Sequence, residues 1–220
     1  KMNISNIHKL SLKKIDTVIH LANIANDPAA ELNPKLTWDV NVLFTNKLIN
    51  QAIKFGVKKF IYASSGSVYG LKNEKKVTEN LSLVPISDYN KSKMIAERVL
   101  MSYQKKIKIF CIRPATVCGY SKNMRLDVSV NMFVHQALFK KKITIFGGNQ
   151  IRPNIHIIDL CRVFIFFIKK NLKTGFYNAG FENLKIYEIA KKISNYTNCK
   201  IKIIKETKDP RSYRQDSSKL

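Results

Sequence analysis

The chain has 220 residues, 45% of them hydrophobic, and a formal net charge of +24 at pH 7, enough length for one substantial domain, or a domain with a smaller appendage, around a real core. Its longest uninterrupted apolar run, Val163 to Ile168, is far short of the roughly 20 residues that span a bilayer, and no signal-peptide pattern follows Lys1-Met2-Asn3, so a soluble cytoplasmic protein is expected. The charge raises a nucleic-acid reading, but only 7 of the 39 basic residues are arginine and the lysines are spread along the whole chain, which disfavours it.

Short β-branched or aromatic runs alternate with longer helical patterns, the signature of βαβ units on a parallel sheet and hence of an α/β fold. Thr17 to Ala22 reads as a buried strand ending in small residues. A helix follows over Thr37 to Phe55, stopped by Gly56, and then a second strand over Lys59 to Ser64. A loop with Asn80, Pro85 and Ser87 leads into a helix from Asp88 to about Gln104, and Ile107 to Ile112 is a third strand. Beyond Pro114 the sequence predicts a helix over Val128 to Phe139, a strand over Ile143 to Phe146 ended by Gly147-Gly148, and a helix over Ile157 to Lys170. Phe176 to Ala179 is a strand, Ile186 to Tyr196 a helix and Ile201 to Ile204 a last strand. In open α/β sheets ligands bind beyond the carboxyl ends of the strands. Ala22-Asn23, Ser64-Ser65, Arg113 to Thr116 and Asn178 to Gly180 hold such positions.

The four cysteines, Cys111, Cys118, Cys161 and Cys199, lie far apart, and His8, His20, His135 and His156 are equally scattered. Free, mostly buried thiols and no metal site are expected.

Tyr89 and Lys93, one helical turn apart and 24 residues after Ser65, carry the chemistry. A serine hydroxyl, a tyrosine and a lysine brought together can take the proton from a substrate alcohol, provided nearby positive charge lowers the phenol from its usual value near pH 10. The Tyr-x-x-x-Lys spacing occurs three times, also as Tyr187/Lys191 and Tyr196/Lys200. Residues i and i+4 share a helix face, so spacing does not choose among them. Only Tyr89/Lys93 opens a helix expected to pack beside a strand ending in hydroxyls, and the other two pairs read as structural.

Ser64-Ser65-Gly66-Ser67-Val68-Tyr69-Gly70, Pro85-x-Ser87-x-Tyr89-x-x-x-Lys93, Ile112-Arg113-Pro114-Ala115-Thr116-Val117-Cys118-Gly119, Arg152-Pro153-Asn154-Ile155-His156, Tyr177-Asn178-Ala179-Gly180 and Asp209-Pro210-Arg211-Ser212-Tyr213-Arg214 follow one another in the chain. In that order the sequence resembles the extended short-chain dehydrogenase/reductases, in particular the NAD-dependent nucleotide-sugar epimerases and dehydratases. The resemblance implies a Rossmann-like doubly wound parallel sheet with a small substrate-binding α+β region. It places the cofactor and catalytic domain over residues 1–115 and 155–180 and the substrate-binding region over 116–154 and 181–220. It makes Tyr89 the acid/base, Lys93 the residue that binds the nicotinamide ribose and lowers the tyrosine pKa, and Ser65 the hydrogen-bond partner of the reacting hydroxyl. NAD would further meet Asn3, Ile4, Leu21, Ala22, Asn23, Asn41, Ala63, Ser64 and Pro114. Thr116, Asn131, Arg152 and Arg211, with Ser65, would hold a nucleotide-diphosphate sugar, and a homodimer is implied.

Two departures qualify the resemblance. All eight glycines lie at or after Gly56, so the glycine-rich turn that receives the cofactor pyrophosphate in the family has no match here. The chain is therefore expected to be a truncated fragment, entering the fold two βα units late and stopping early, and to bind NAD poorly by itself. Family members that dehydrate resemble one another in an acidic residue just after the catalytic hydroxyl, where this chain has Gly66 and Ser67. That points to epimerisation through a transient keto-sugar, with a keto-sugar reductase or dehydratase as the alternative within the family. A non-catalytic nucleotide-sugar or RNA-binding protein is the alternative from another class.

Overall fold

Lys59-Phe60-Ile61-Tyr62-Ala63 carries three consecutive core residues, a pattern suited to a strand covered on both faces, and it forms β2 (Lys59–Ala63) with Phe60, Ile61 and Tyr62 fully buried. The computed structural model describes residues 4–205 and 212–220. Strand β1 (Thr17–His20) pairs in parallel with β2, and β2 in parallel with β3 (Lys108–Pro114). The sheet order is β1-β2-β3-β7, with β7 at Gly175–Ala179. The architecture is the parallel α/β class that the alternating pattern predicts, with the Rossmann-like sheet that the resemblance implies.

The chain divides into two compact units. The first holds the residues up to Gly70, Leu81–Arg113 and Val163–Tyr177; the second holds Leu71–Asn80, Pro114–Arg162 and Asn178–Leu220. In the first, strand side chains alternate between faces. Phe60 and Tyr62 of β2 and Ile109 and Cys111 of β3 pack with Leu48, Ile49, Ala52, Ala96 and Leu100. The intervening Phe110 turns the other way and meets Phe167 at 5.1 Å between ring centroids, and Phe167 meets Tyr177 at 4.9 Å. Each fully buried side chain of this size contributes about 1.5–3 kcal/mol. Helices therefore cover both faces, the second cover coming from α6 (Ile157–Lys169).

The helix expected over Thr37 to Phe55 is longer and irregular. It opens at Pro34, because Asn33 accepts a hydrogen bond from the Leu36 N–H at 2.9 Å and proline suits the first helical position. It runs as α2 (Pro34–Trp38), a π-helical turn over Asp39–Phe44 and α3 (Thr45–Lys54), and Gly56 follows with φ +73°. A short α1 (Asp27–Leu32), capped by Asn26, precedes it. Ser87 caps α4 (Asp88–Met101), whose start falls where the sequence predicts it.

In the second unit, β4 (Thr116–Cys118) runs parallel to β6 (Ile151–His156), which pairs antiparallel with β8 (Glu182–Lys185). Neither β4, β6 nor β8 was expected from sequence. Pro153 masks β6; it is tolerated because β4 reaches only as far as Asn154, leaving that side of the strand an edge at Pro153. A second, two-stranded parallel pair, β5 (Lys142–Phe146) with β9 (Lys200–Ile204), is covered by α5 (Ser129–Lys140) and α7 (Ile186–Thr197) through Phe133, Ala137, Ile143, Ile145, Ile189 and Ala190. The cysteines are free, as expected, but only Cys111 and Cys199 are buried; Cys161 is exposed on α6 and Cys118 half-buried. Among the described residues no helix is long and apolar enough to cross a membrane.

Candidate active site

Strand β2 ends at Ala63, Ser64 follows, and Ser65 caps a short 3-10 turn over Gly66–Tyr69. The Ser65 Oγ accepts from the Ser67 N–H at 3.2 Å and lies 2.7 Å from the Ser67 Oγ. The turn closes at Gly70, where φ is +70° and a Cβ would fall 1.9 Å from the Val84 carbonyl oxygen. Only glycine fits that approach, so the backbone holding Ser65 is pinned at its far end.

Helix α4 brings up the other two groups. Lys93 is buried, donates from Nζ to the Ala63 carbonyl at 2.7 Å, and stands 4.8 Å from the Tyr62 ring centroid and 5.9 Å from that of Tyr89. Burial lowers its pKa from 10.5 to about 7, against the opposing pull of the Glu97 carboxylate. Its ammonium is thus present yet held lightly near neutral pH. The three Tyr-x-x-x-Lys tyrosines differ sharply in exposure: Tyr89 is 9% exposed, Tyr187 40% and Tyr196 92%. Only Tyr89 shares a buried, charged neighbourhood with its lysine, where a phenol can exchange a proton under control of a nearby cation.

The end of β1 is tied to the same region. The Tyr62 hydroxyl donates to Asn23 Oδ1 at 3.2 Å. Asn41, fully buried, accepts from the Ile24 N–H at 2.8 Å and donates to the Ile24 carbonyl and to Ser92 Oγ. The Thr45 Oγ1 lies 2.8 Å from the Asn41 carbonyl, to which it donates, and 2.8 Å from His20 Nε2, which is also 3.5 Å from Asn23 Nδ2. Burial, then the charge of Lys93, lowers the His20 pKa to about 3, which keeps the imidazole neutral. Asn41 lies in the π-helical turn and Thr45 directly follows it. Leu21 and Ala22 are exposed at the strand end, while the Ser64 Oγ is buried without a hydrogen-bond partner among the described residues.

Behind Lys93 lies a cluster that the sequence reading passed over. Glu97 continues the Tyr89, Lys93 stripe of α4, and Arg113 donates to it from Nε at 2.9 Å and Nη2 at 2.7 Å, while Nη1 donates to the Tyr69 hydroxyl at 2.8 Å. Burial disfavours the Arg113 charge, but the hydrogen bond and charge of Glu97 outweigh it and hold the guanidinium ionised. The available signal was the third member of an i, i+4, i+8 series ending in a carboxylate.

The remaining expected residues that the structure describes lie in the second unit, Thr116 and Arg152 on the paired strands β4 and β6. Thr116 is half-buried on β4, and Arg152 sits on β6 opposite Leu184. Asn131 on α5 is buried and accepts from the Gly119 N–H while donating to the Arg125 carbonyl, both at 2.9 Å, so its amide closes the loop between them. An open groove of about 470 Å³ is lined by Lys75, Lys76, Phe181, Asn183 and Arg214, none of which was expected at a site. Asn3, Arg211 and the side chain of Ile4 lie outside the described residues.

A family model described as NAD dependent epimerase/dehydratase family matches residues 2–180. A UDP-glucose 4-epimerase of Lactobacillus helveticus is 28% identical over 206 residues, covering 83% of this chain and 62% of that protein. A human dTDP-D-glucose 4,6-dehydratase is 30% identical over 198 residues, covering 89% and 54%. The chain thus spans between half and two thirds of the length of these curated relatives. Among solved structures, a UDP-N-acetylglucosamine 4-epimerase of Methanobrevibacter ruminantium in complex with UDP-N-acetylmuramic acid superposes with a TM-score of 0.88 at 24% identity, covering 100% of this chain and 72% of that one. A UDP-glucose 4-epimerase of Thermotoga maritima with UDP-glucose gives 0.88 at 24% identity, covering 99% and 74%. At that identity the superpositions establish the fold alone.

Proposed function

The chain belongs to the NAD dependent epimerase/dehydratase family, and from that premise we propose that it carries the acid/base half of an NAD-dependent nucleotide-sugar epimerase. The observation that carries the reading is the buried Lys93 ammonium, anchored 2.7 Å from the Ala63 carbonyl and 5.9 Å from the Tyr89 ring, beside the strand end that holds Ser65. Ser65 and Tyr89 hydrogen-bond the sugar hydroxyl, and Tyr89 takes its proton. The Lys93 charge favours the phenolate that does so. NAD, when bound, supplies the acceptor for the hydride leaving the carbinol carbon and gives it back. Turnover of the keto-sugar between the two transfers inverts that carbon, and Tyr89 returns the proton.

The residues present suit one end of NAD. The orphaned, buried Ser64 Oγ and the Lys93 ammonium both stand at the β2 end, a donor set suited to ribose hydroxyls and to an amide; Lys93 and Tyr89 would hold the ribose, with Asn41 fixing the β1 end rather than touching the cofactor. No glycine precedes Gly56 among these 220 residues, so the glycine-rich turn that receives a pyrophosphate has no match in this sequence. The absence of an acidic side chain at Gly66 and Ser67 favours epimerisation over dehydration.

For the second unit we propose the nucleotide sugar contacts Thr116 and Arg152, with Asn131 setting the loop beside them; guanidinium forks match a diphosphate. The exposed Leu36 and Leu43 on the helix before α3 support a homodimer through that helix, measurable by light scattering. The test of the main reading is turnover of UDP-glucose by the full-length protein and its Tyr89→Phe variant. Loss of turnover in the variant is expected, and unchanged turnover would sink the assignment.

A further inference from the structure

Tyr89, Lys93 and Glu97 form one stripe of α4, four residues apart, so Lys93 has the phenol on one side and a carboxylate on the other. A free carboxylate one turn away would draw the ammonium onto itself. It does not, because both Glu97 oxygens are taken by Arg113, at 2.9 Å from Nε and 2.7 Å from Nη2. Lys93 instead donates to the Ala63 carbonyl.

The same guanidinium has a second partner residue. Its Nη1 donates at 2.8 Å to the hydroxyl of Tyr69, the last residue of the turn that Ser65 caps. The Tyr69 and Phe176 rings lie 5.0 and 4.5 Å from its Cζ, and all four side chains of the cluster lie in the first unit. One planar group on β3 therefore touches the turn that presents Ser65 and the helix that presents Tyr89 and Lys93. Burial makes this fork stiff and makes its loss costly.

We propose that Arg113 is a positioning residue: it fixes the Ser65 turn against the Tyr89/Lys93 helix and, by occupying Glu97, leaves the Lys93 charge to act on Tyr89. The inference rests on the acid/base reading of Tyr89. While Lys93 is protonated, the cluster of Arg113, Glu97 and Lys93 carries one net positive charge, which ionised Tyr89 neutralises. Without Arg113 the remaining Glu97 and Lys93 cancel each other, and the phenolate has no counter-charge left.

The test uses the full-length protein. Tyr89 is titrated through near-ultraviolet tyrosinate absorbance, each variant against the same variant with Tyr89→Phe, and kcat and KM are measured with UDP-glucose. Arg113→Gln is expected to raise the Tyr89 midpoint by about 1 pH unit and to lower kcat at neutral pH about tenfold, with KM changed less than about twofold. Arg113→Lys keeps the charge but not the fork, so its midpoint stays near that of the parent while kcat falls. The double variant Glu97→Gln/Arg113→Gln removes both charges; its midpoint returns toward the parent value while kcat stays low.

A folded Arg113→Gln protein with unmoved midpoint and unmoved kcat overturns the proposal. Should that variant fail to fold by circular dichroism, the double variant decides alone, and parental kcat in it is the overturning result. Failure of the underlying reading is distinguishable: no turnover of UDP-glucose by the parent leaves the titrations to judge Arg113. Turnover abolished by Tyr89→Phe but indifferent to Arg113 removes only this inference.

Discussion

Arg113 grips Glu97 through Nε and Nη2 at 2.9 and 2.7 Å, and in the other unit Arg125 grips Asp127 through the same two nitrogens at the same two distances. The first pair is 2% and 1% exposed, the second 45% and 47%. The tyrosine-lysine pairs repeat the contrast, with Tyr89/Lys93 buried in the first unit and Tyr187/Lys191 at the surface of the second. Identical local geometry therefore has different consequences. In water a charge is screened and its partner is optional, whereas in a dry interior every charge must be matched and every mismatch is felt by its neighbours.

The contrast can be broken most forcefully at the tyrosines. Tyr89→Phe is expected to reduce turnover of UDP-glucose by the full-length protein about a hundred- to ten-thousand-fold, the scale of a lost acid/base group. Tyr187→Phe at the same spacing is expected to leave it unchanged. Turnover measured on both variants in parallel checks the pair, and equal losses would erase the distinction drawn from burial.

Next in size come the ion pairs. Glu97→Ala strands the Arg113 guanidinium in the core and is expected to cost about 3–5 kcal/mol of stability, read from urea unfolding. Asp127→Asn releases an exposed arginine, at a cost of about 0–1 kcal/mol that shrinks further in salt. Similar values for the two variants would mean that burial does not set their worth.

Lys93 sharpens the comparison through pH. Its folded pKa of about 7 lies below the ordinary 10.5, so between those values the unfolded chain binds a proton that the folded chain has released. Stability from this group therefore rises with pH across that window, is fully present above the unfolded value, and is lost as pH falls through about 7. Thermal melts from pH 6 to 10 should show this slope in the parent and lose it in Lys93→Met. The surface substitution Lys191→Met should leave the slope as it is. This effect is the most diagnostic of the interior.

Much of the fold was legible residue by residue. Uninterrupted apolar runs such as Phe60-Ile61-Tyr62 mark strands covered on both faces, and Ser87 before Asp88 marks a helix start because its hydroxyl can take an orphan N–H. Elements with mixed polarity escaped. β8, Glu-Asn-Leu-Lys, has no apolar period, and β6 contains a proline whose acceptability depends on where its neighbour strand ends. The π-helical turn over Asp39–Phe44 escaped as well.

The site divides in the same way. Sequence by itself determined that a serine-ended strand precedes a helix carrying tyrosine and lysine on one face, because i and i+4 coincide on any helix and strand ends collect on one side of a parallel sheet. It could not choose among three equally spaced pairs, nor foresee that Asn41 and Asn131 spend their amides on backbone groups of neighbouring loops. Nor did it show that Arg113 would meet Glu97 and Tyr69, 16 and 44 residues away along the chain. Those outcomes depend on burial and on contacts between distant segments. The charge state of Lys93 is likewise a property of its surroundings, which only the folded chain supplies.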